Sequence, residues 1–393
     1  MKKITLKLTA FFMALIFSVG YGLIPSAAEE VLPVIPTDTA ALAGEAKSVI
    51  LIEAETGKVL YEYEADMRLA PASVTKIMTI LLVAEEIGKG TLKLTDIVQI
   101  SDNASHMGGS QVYLKAGEQM SVEDLLKSVI IASANDAATA LAEQVAGSVE
   151  GFVERMNARA SELGMSNTVF ENPTGLDDST VDHKTTARDI SLMSRELMKH
   201  EFILNYTTIW MDSIRNGAFG LTNTNRLIRF YNGANGLKTG STSKAGFCIS
   251  AAAKRDGMQL IAVIMGAPNR DIRNEIAKKL LDYGFANYKY LCMESGEIDP
   301  IKVLGGVSNS CRLMYEKFDI VLDKSEAVKG VESAVNLPEY ISAPVEAGEV
   351  IGNIDYKIGD ETIGSVNIVA VEAIEKISYL GLLKRMINSF FLK

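Results

Sequence analysis

The chain has 393 residues, 48% of them hydrophobic and 22% charged, and a formal net charge of −10. That length leaves room for about two domains, and the acidic balance argues against nucleic acid as a partner. No internal apolar run reaches the roughly eighteen residues of a spanning helix, and the only long one is N-terminal.

In that N-terminal stretch Lys2, Lys3 and Lys7 precede an apolar run from Leu8 to Ile24, and Ser26-Ala27-Ala28 supplies small residues for a signal peptidase. The expectation is export, with residues 1–28 as a signal peptide cleaved after Ala28; an uncleaved anchor is the alternative. Residues 29–45, with Pro33 and Pro36, read as a linker. Val49-Ile50-Leu51-Ile52 and Val59-Leu60-Tyr61 flank the turn signal Glu55-Thr56-Gly57-Lys58, which predicts a hairpin. A helix then runs from Ser73 to about Ile87, with Ile77, Ile80, Leu81 and Ala84 on its apolar face.

From Thr91 to Gly117 the text is irregular, with one short strand at Ile97 to Ile100. Ser121 caps a helix carrying Leu125, Leu126, Val129 and Ile130, which stops at Ser133-Ala134-Asn135. Helices follow from Asp136, from Glu150 to Leu163 and from Ala187 to about His200, with Glu171 to Asp177 as a loop. Gly236-Leu237-Lys238-Thr239-Gly240 reads as the end of a loop. Phe247 to Ala253 and Leu260 to Met265 then pair across Arg255-Asp256-Gly257, and Arg270 to Tyr288 is an amphipathic helix. The pattern predicts one mixed sheet built from both ends of residues 46–291 around a helical insert. Short strands broken by glycine and acidic turns make residues 297–375 a small all-β domain, and residues 377–393 are helical again.

Ser73 and Lys76 stand one helical turn apart, so a hydroxyl and an amine share one face. Serine needs a base to act as a nucleophile near neutral pH, and a buried lysine kept partly neutral can serve. Cys248, Cys292 and Cys311 are irregularly spaced, and His106, His183 and His200 form no His-Glu-x-x-His, so neither a disulfide framework nor a zinc hydrolase is indicated. No Gly-x-Ser-x-Gly elbow presents a serine for a Ser-His-Asp enzyme.

Ser73-x-x-Lys76, Ser133-x-Asn135 and Lys238-Thr239-Gly240, in that order, form the signature of penicillin-binding proteins and serine β-lactamases. With Arg68-Leu69-Ala70-Pro71-Ala72, Asn135-Asp136-Ala137-Ala138 and Asn172-Pro173-Thr174-Gly175-Leu176-Asp177 added, the chain resembles the low-molecular-mass penicillin-binding D-alanyl-D-alanine carboxypeptidases from about Lys47 to Tyr290. Ala134 stands where relatives carry Gly or Asp, which leaves the flanking side chains in place. The resemblance implies an α/β (α+β) fold of the β-lactamase/penicillin-binding transpeptidase type, a C-terminal all-β domain and a terminal amphipathic helix.

It also implies roles, with no cofactor and no metal. Ser73 attacks the carbonyl between two D-alanines of a peptidoglycan stem peptide and is acylated by β-lactams, and Lys76 takes its proton. The N–H groups of Ser73 and Ser241 hold the oxyanion. Ser133 relays a proton to the leaving amine, and Asn135 bonds Lys76 and the substrate amide. Lys238 and Thr239 meet the terminal carboxylate, and Gly240 lets the strand come close. Arg226 either assists that carboxylate or is a solvated loop residue.

Three rival readings use the same residues. A β-lactamase needs a glutamate-activated water, and Glu201-Phe202-Ile203-Leu204-Asn205 has the right letters but stands too far from Ser133 in sequence. The others are an endopeptidase with a roomier groove and a wall-binding scaffold. At the C-terminus, about 100° per residue puts Tyr379, Leu380, Leu382, Leu383, Met386, Ile387, Phe390 and Phe391 on one half of a helix, with Lys384 and Arg385 opposite. The expectation is a membrane-surface tether, placing the enzyme on the outer face of the cytoplasmic membrane or in the cell wall; a helix packed on the chain's own β-domain is the alternative.

Overall fold

The computed structural model describes residues 41–177 and 180–391, so the expected signal peptide and most of the expected linker lie outside the described residues. A five-stranded sheet is the frame, antiparallel at every pairing rather than mixed as the sequence pattern predicts. Its strands are β1 (Ser48–Glu53), β2 (Val59–Tyr63), β3 (Ala234–Thr242), β4 (Gly246–Arg255) and β5 (Met258–Ala267), in the order β2-β1-β5-β4-β3. The sheet is therefore made from both ends of the segment, with β1 pairing β5 from Ser48 opposite Met265 to Glu53 opposite Leu260. Both strands are buried along their whole length. Their alternation divides them between two cores: Ile50, Ile52, Ile261 and Val263 face the helical insert, while Val49, Leu51, Leu260 and Ile264 face the last helix of the segment.

The helices of that insert are α1 (Lys76–Lys89), α2 (Val122–Ile131), α3 (Asn135–Ala146), α4 (Val149–Glu162) and α5 (Ala187–Met198), and α6 (Arg270–Asn287) covers the opposite face. Their starts follow capping chemistry. Ser121, Ser148, Thr186 and Asn269 each accept a backbone N–H of the first turn. In α1, Ile77, Met78 and Leu81 are fully buried, each stabilising the fold by about 1.5–3 kcal/mol. This packing anchors the helix that carries Lys76.

Three further details differ from the sequence reading. Lys238-Thr239-Gly240 lies inside the edge strand β3 rather than at the end of a loop, because residues 236–240 are buried on both faces by long-range contacts that an alternating pattern does not reveal. The irregular stretch after Thr91 contains a short helix, Asp102–Ser105, and its strand Ile97–Gln99 pairs with Gln119–Ser121. A further hairpin joins Met211–Ile214 to Phe219–Thr222. Arg215, Asn216 and Gly217 in its turn have positive φ, so Asn-Gly was the readable signal.

Beyond α6, Tyr288–Met293 pairs with Phe318–Asp323 as a two-stranded ribbon, and Lys58 Nζ donates to Val321 O at 2.9 Å. A separate six-stranded sheet, spanning Gly296 to Ala370, is built around Ile301, Val303, Cys311, Leu313, Ile354 and Ile368. The terminal helix α7 (Tyr379–Phe391) follows. Its Arg385 donates to Asn309 Oδ1 and Val307 O, both at 2.6 Å. No helix among the described residues is long and apolar enough to cross a membrane.

Candidate active site

Ser73 lies in a 3-10 turn, Ala72–Thr75, that runs directly into α1. Ala72 has φ +50, a conformation unusual for a residue with a Cβ. The turn presents Ser73 Oγ to Lys76 Nζ at 2.9 Å. Lys76 is fully buried, and two other oxygens meet its nitrogen: Asn135 Oδ1 at 2.5 Å and the carbonyl of Thr174 at 2.8 Å. Carbonyl oxygens only accept. A neutral amine therefore spends both N–H groups on Asn135 and Thr174, and its lone pair is left facing Ser73 O–H. Three fixed neighbours thus orient a base without any other titratable group.

Each of those neighbours is itself held. Asn135 opens α3, and its Nδ2 donates to Gly108 O at 2.7 Å, which sets the side-chain oxygen toward Lys76. Asn172 Oδ1 accepts from Thr174 N, Thr174 Oγ1 and Gly175 N, fixing the Thr174 turn. Gly175 packs so closely on the serine turn that an added Cβ would lie 1.8 Å from Ala72 O. His183 closes the junction from below. Its Nδ1 accepts from Glu171 N–H at 3.0 Å, so Nε2 carries the proton and donates to Thr75 Oγ1 at 2.8 Å. Burial pushes this imidazole down to about 4.

Across the cleft, Lys238 Nζ donates to Ser133 Oγ and to Thr239 O, both at 2.8 Å. Thr239 Oγ1 donates to Thr224 Oγ1 at 2.8 Å. Gly240 is the point of closest approach: a Cβ there would sit 2.8 Å from Ser73 N and 2.9 Å from Pro71 O and Val74 N. Ser241, the next residue, is exposed on the rim. Burial, and then the charge of Lys238, holds the Lys76 amine well below the usual lysine value, with Asp136 acting in the opposite direction. Burial and the Arg273 guanidinium bring Lys238 down to about 7.

These groups line a cleft of about 370 Å³ that contains Ser73, Ser133, Thr239, Gly240 and Ser241. A larger groove of about 520 Å³, between Arg226 and Asp282, holds no serine, lysine-base or oxyanion arrangement, so the chemistry selects the smaller cleft. Arg226 is exposed and lines both, its guanidinium over the Phe230 ring. Sequence reading did not single out the Thr174 carbonyl or the arginines Arg270 and Arg273 that also line the cleft. The two arginines sit on a helix whose docking alone brings them there, and a backbone acceptor leaves no trace in residue type. Glu201 lines a different groove, with Ala54, Glu55 and Arg195. Among the described residues no cluster of three or more His, Cys, Asp or Glu is suited to hold a metal ion, and the three cysteines are free.

Residues 36–269 match the sequence family described as D-alanyl-D-alanine carboxypeptidase, and residues 294–376 match the penicillin-binding protein 5 C-terminal domain. The chain is 41% identical over 358 residues to the D-alanyl-D-alanine carboxypeptidase DacF of Bacillus subtilis, covering 90% of this chain and 92% of that protein. It is similar in structure to penicillin-binding protein 5 from Haemophilus influenzae, with a TM-score of 0.73 and 31% identity over 84% of this chain and 98% of that one. Penicillin-binding protein D2 from Listeria monocytogenes in its ampicillin-bound form matches with a TM-score of 0.57 and 32% identity, over 61% of this chain and 98% of that one. A serine turn, a buried lysine and a Lys-Thr-Gly edge strand are thus accompanied by likeness along both domains, and the chain belongs to the low-molecular-mass penicillin-binding proteins as a serine-type D-alanyl-D-alanine carboxypeptidase.

Proposed function

We propose that this carboxypeptidase removes the terminal D-alanine from peptidoglycan stem pentapeptides through an acyl-enzyme on Ser73, and that penicillin acylates the same oxygen. Ser73 Oγ attacks the penultimate D-alanine carbonyl while the neutral Lys76 amine takes its proton. The backbone N–H groups of Ser73 and Ser241 receive the oxyanion. Ser133, hydrogen-bonded to Lys238, relays to the leaving D-alanine amine the proton that Lys76 took from Ser73, which returns Lys76 to its neutral form. Lys238 and Thr239 bind the terminal carboxylate, and Asn135 adds an amide contact to the substrate. Water then hydrolyses the Ser73 ester. The observation that carries this reading is the Lys76 amine, buried, 2.9 Å from Ser73 Oγ, with two carbonyl acceptors on its other sides. The test is labelling with fluorescent penicillin followed by peptide mapping, together with mass analysis of a defined pentapeptide. The expected results are an adduct on Ser73, loss of one D-alanine and neither event in Ser73→Ala; an adduct on any other residue overturns the mechanism.

The same proposal places the exported enzyme on the outer face of the cytoplasmic membrane, held by α7. Support comes from its exposed apolar residues, Tyr379 at 83% and Leu380 at 78%, with Leu382, Leu383, Met386 and Ile387 each near half. Burying them in the headgroup boundary contributes on the order of 10 kcal/mol before ordering costs. Lys384 is free to meet anionic headgroups, whereas Arg385 is spent on Asn309 and Val307. Deleting residues 377–393 is expected to release active enzyme from washed membranes; an intact mature protein that is already soluble rules the tether out.

A further inference from the structure

Asp136 is fully buried and follows Asn135 at the start of α3. Its carboxylate accepts from three backbone N–H groups: Val112 at 3.1 Å, Leu114 at 3.0 Å and Ala137 at 2.9 Å. Two of these donors belong to the loop that supplies the acceptors of Asn135. Gly108 O takes Asn135 Nδ2 and Ser110 O takes Asn135 N, both at 2.7 Å. The loop has no slack there, since a Cβ on Gly109 would lie 2.6 Å from Asn135 Nδ2. Loop and amide therefore move together, and the carboxylate is what joins them.

These donors use both carboxylate oxygens, and no neutral side chain of this size offers two acceptors, so the hydrogen bonds themselves call for a carboxylate. The charge that this places in the interior also acts on Lys76. Burial, and then the charge of Lys238 on β3, whose own neighbour is Arg273 on α6, disfavour the protonated form of that amine. His183, below the serine turn, is neutral in its Nε2–H form. Asp136 is the group that opposes them. The proton taken from Ser73 has to rest on Lys76 while the tetrahedral intermediate exists.

We infer that Asp136 is a positioning residue for the acylation step: its carboxylate pins the Gly108–Leu114 loop that aims Asn135 at Lys76, and its negative charge favours the ammonium that forms there. The inference rests on the Ser73–Lys76 mechanism proposed above. It differs from a packing role in its readout: Asp136→Asn removes the charge and also sets an amide NH₂ against a backbone N–H, Asp136→Glu keeps the charge, and only loss of the charge moves the pH limb.

The experiment measures penicillin acylation rate against pH for the full-length enzyme and three variants, with the adduct mapped in each case. Asp136→Asn is expected to lose about 10²-fold in rate, the scale of a small misplacement of a catalytic group. Its acid limb should move to lower pH by roughly one unit, the lower end of a nearby opposite charge's effect. Asp136→Glu keeps the charge and displaces the oxygens, so its rate should fall while the limb stays. Arg215→Gln loosens the same loop from the outside, where Arg215 donates to Val112 O and Tyr113 O and pairs with Glu118; it too should slow acylation without moving the limb. An unmoved or raised limb in Asp136→Asn overturns the inference, as does an equal shift in Arg215→Gln. If Asp136→Asn yields no folded protein, Asp136→Glu decides: wild-type rate or a displaced limb overturns it. A wild-type enzyme that is not acylated on Ser73 removes the underlying mechanism instead, and the mapped adduct separates that failure from this one.

Discussion

Lys238 Nζ and Ser133 Oγ are joined at 2.8 Å across 105 residues of sequence. Both side chains are buried, and in the mechanism proposed above the ammonium assigned to the substrate carboxylate is also the partner of the hydroxyl assigned to the leaving amine. The two buried lysines are therefore wanted in opposite states, Lys76 neutral and Lys238 charged.

The pH dependence of kcat/KM should show both. On the acid side activity rises as Lys76 loses its proton, at a pH well below the usual lysine value. On the alkaline side it falls as free Lys238 loses its charge around pH 7. A bound carboxylate stabilises that ammonium, so kcat at saturating peptide should persist to higher pH than kcat/KM. Lys76→Ala should slow acylation by about 10²–10⁴-fold above that acid limb and should lose the limb itself, so that the difference narrows at lower pH. Stopped-flow acylation and steady-state turnover of a D-alanyl-D-alanine peptide check both; alkaline limbs that coincide remove Lys238 from carboxylate binding.

Lys238→Gln should cost about 1.5–3 kcal/mol of productive binding, the range for hydrogen bonds to charged groups. Peptides amidated at the C-terminus should suffer a comparable loss with the wild-type enzyme and little further loss with the variant. A double cycle of kcat/KM values reads this coupling, and independent losses would separate Lys238 from the carboxylate.

Gly240→Ala should damage acylation far more than stability. The new Cβ meets backbone atoms of Pro71, Ser73 and Val74 at 2.8–2.9 Å, so the edge strand has to back away from the nucleophile. Gly88→Ala is the control, because nothing lies within 4 Å of that site on α1. In a helix interior the exchange stabilises by roughly 0.5–1 kcal/mol. Thermal melts paired with penicillin-labelling rates distinguish the two.

His183 should make the fold acid-sensitive. Its folded value is about 4 against 6.5 for the free side chain, so the unfolded chain binds a proton first. Stability is untouched above about pH 6.5 and falls as the pH drops toward 4, by about 3 kcal/mol in all. His183→Gln should flatten that part of the profile. Urea unfolding at pH 7 and pH 4.5 for both proteins gives the difference; parallel profiles would mean that the imidazole is protonated in the folded state.

Much of the fold was legible because its signals are local. The Ser121 cap, the apolar stripe of Leu125, Leu126, Val129 and Ile130, and the alternation at Arg255-Asp256-Gly257 are properties of ten or so consecutive residues, and the structure has helices and hairpins there. The Ser73–Lys76 contact is equally local, since three residues of helical rise bring side chains together whatever surrounds them. What residue order alone determined was therefore a serine with an adjacent amine and three short segments whose types matched a known chemistry.

Tertiary structure decided the rest, because burial and convergence are not properties of any one segment. Lys238 reads as a surface turn until β3 pairs with β4 and packs over the serine turn, after which it is 1% exposed and its charge is sensed at Lys76. The Thr174 carbonyl carries no side-chain signature, so its bond to Lys76 appears only when the loop folds onto Ala72. Arg273 comes to the cleft through the docking of α6, and Asp136 gains its field on Lys76 only once water is excluded around both. Residue types supplied the reacting groups, and the packed interior, by removing solvent, set which of them hold protons.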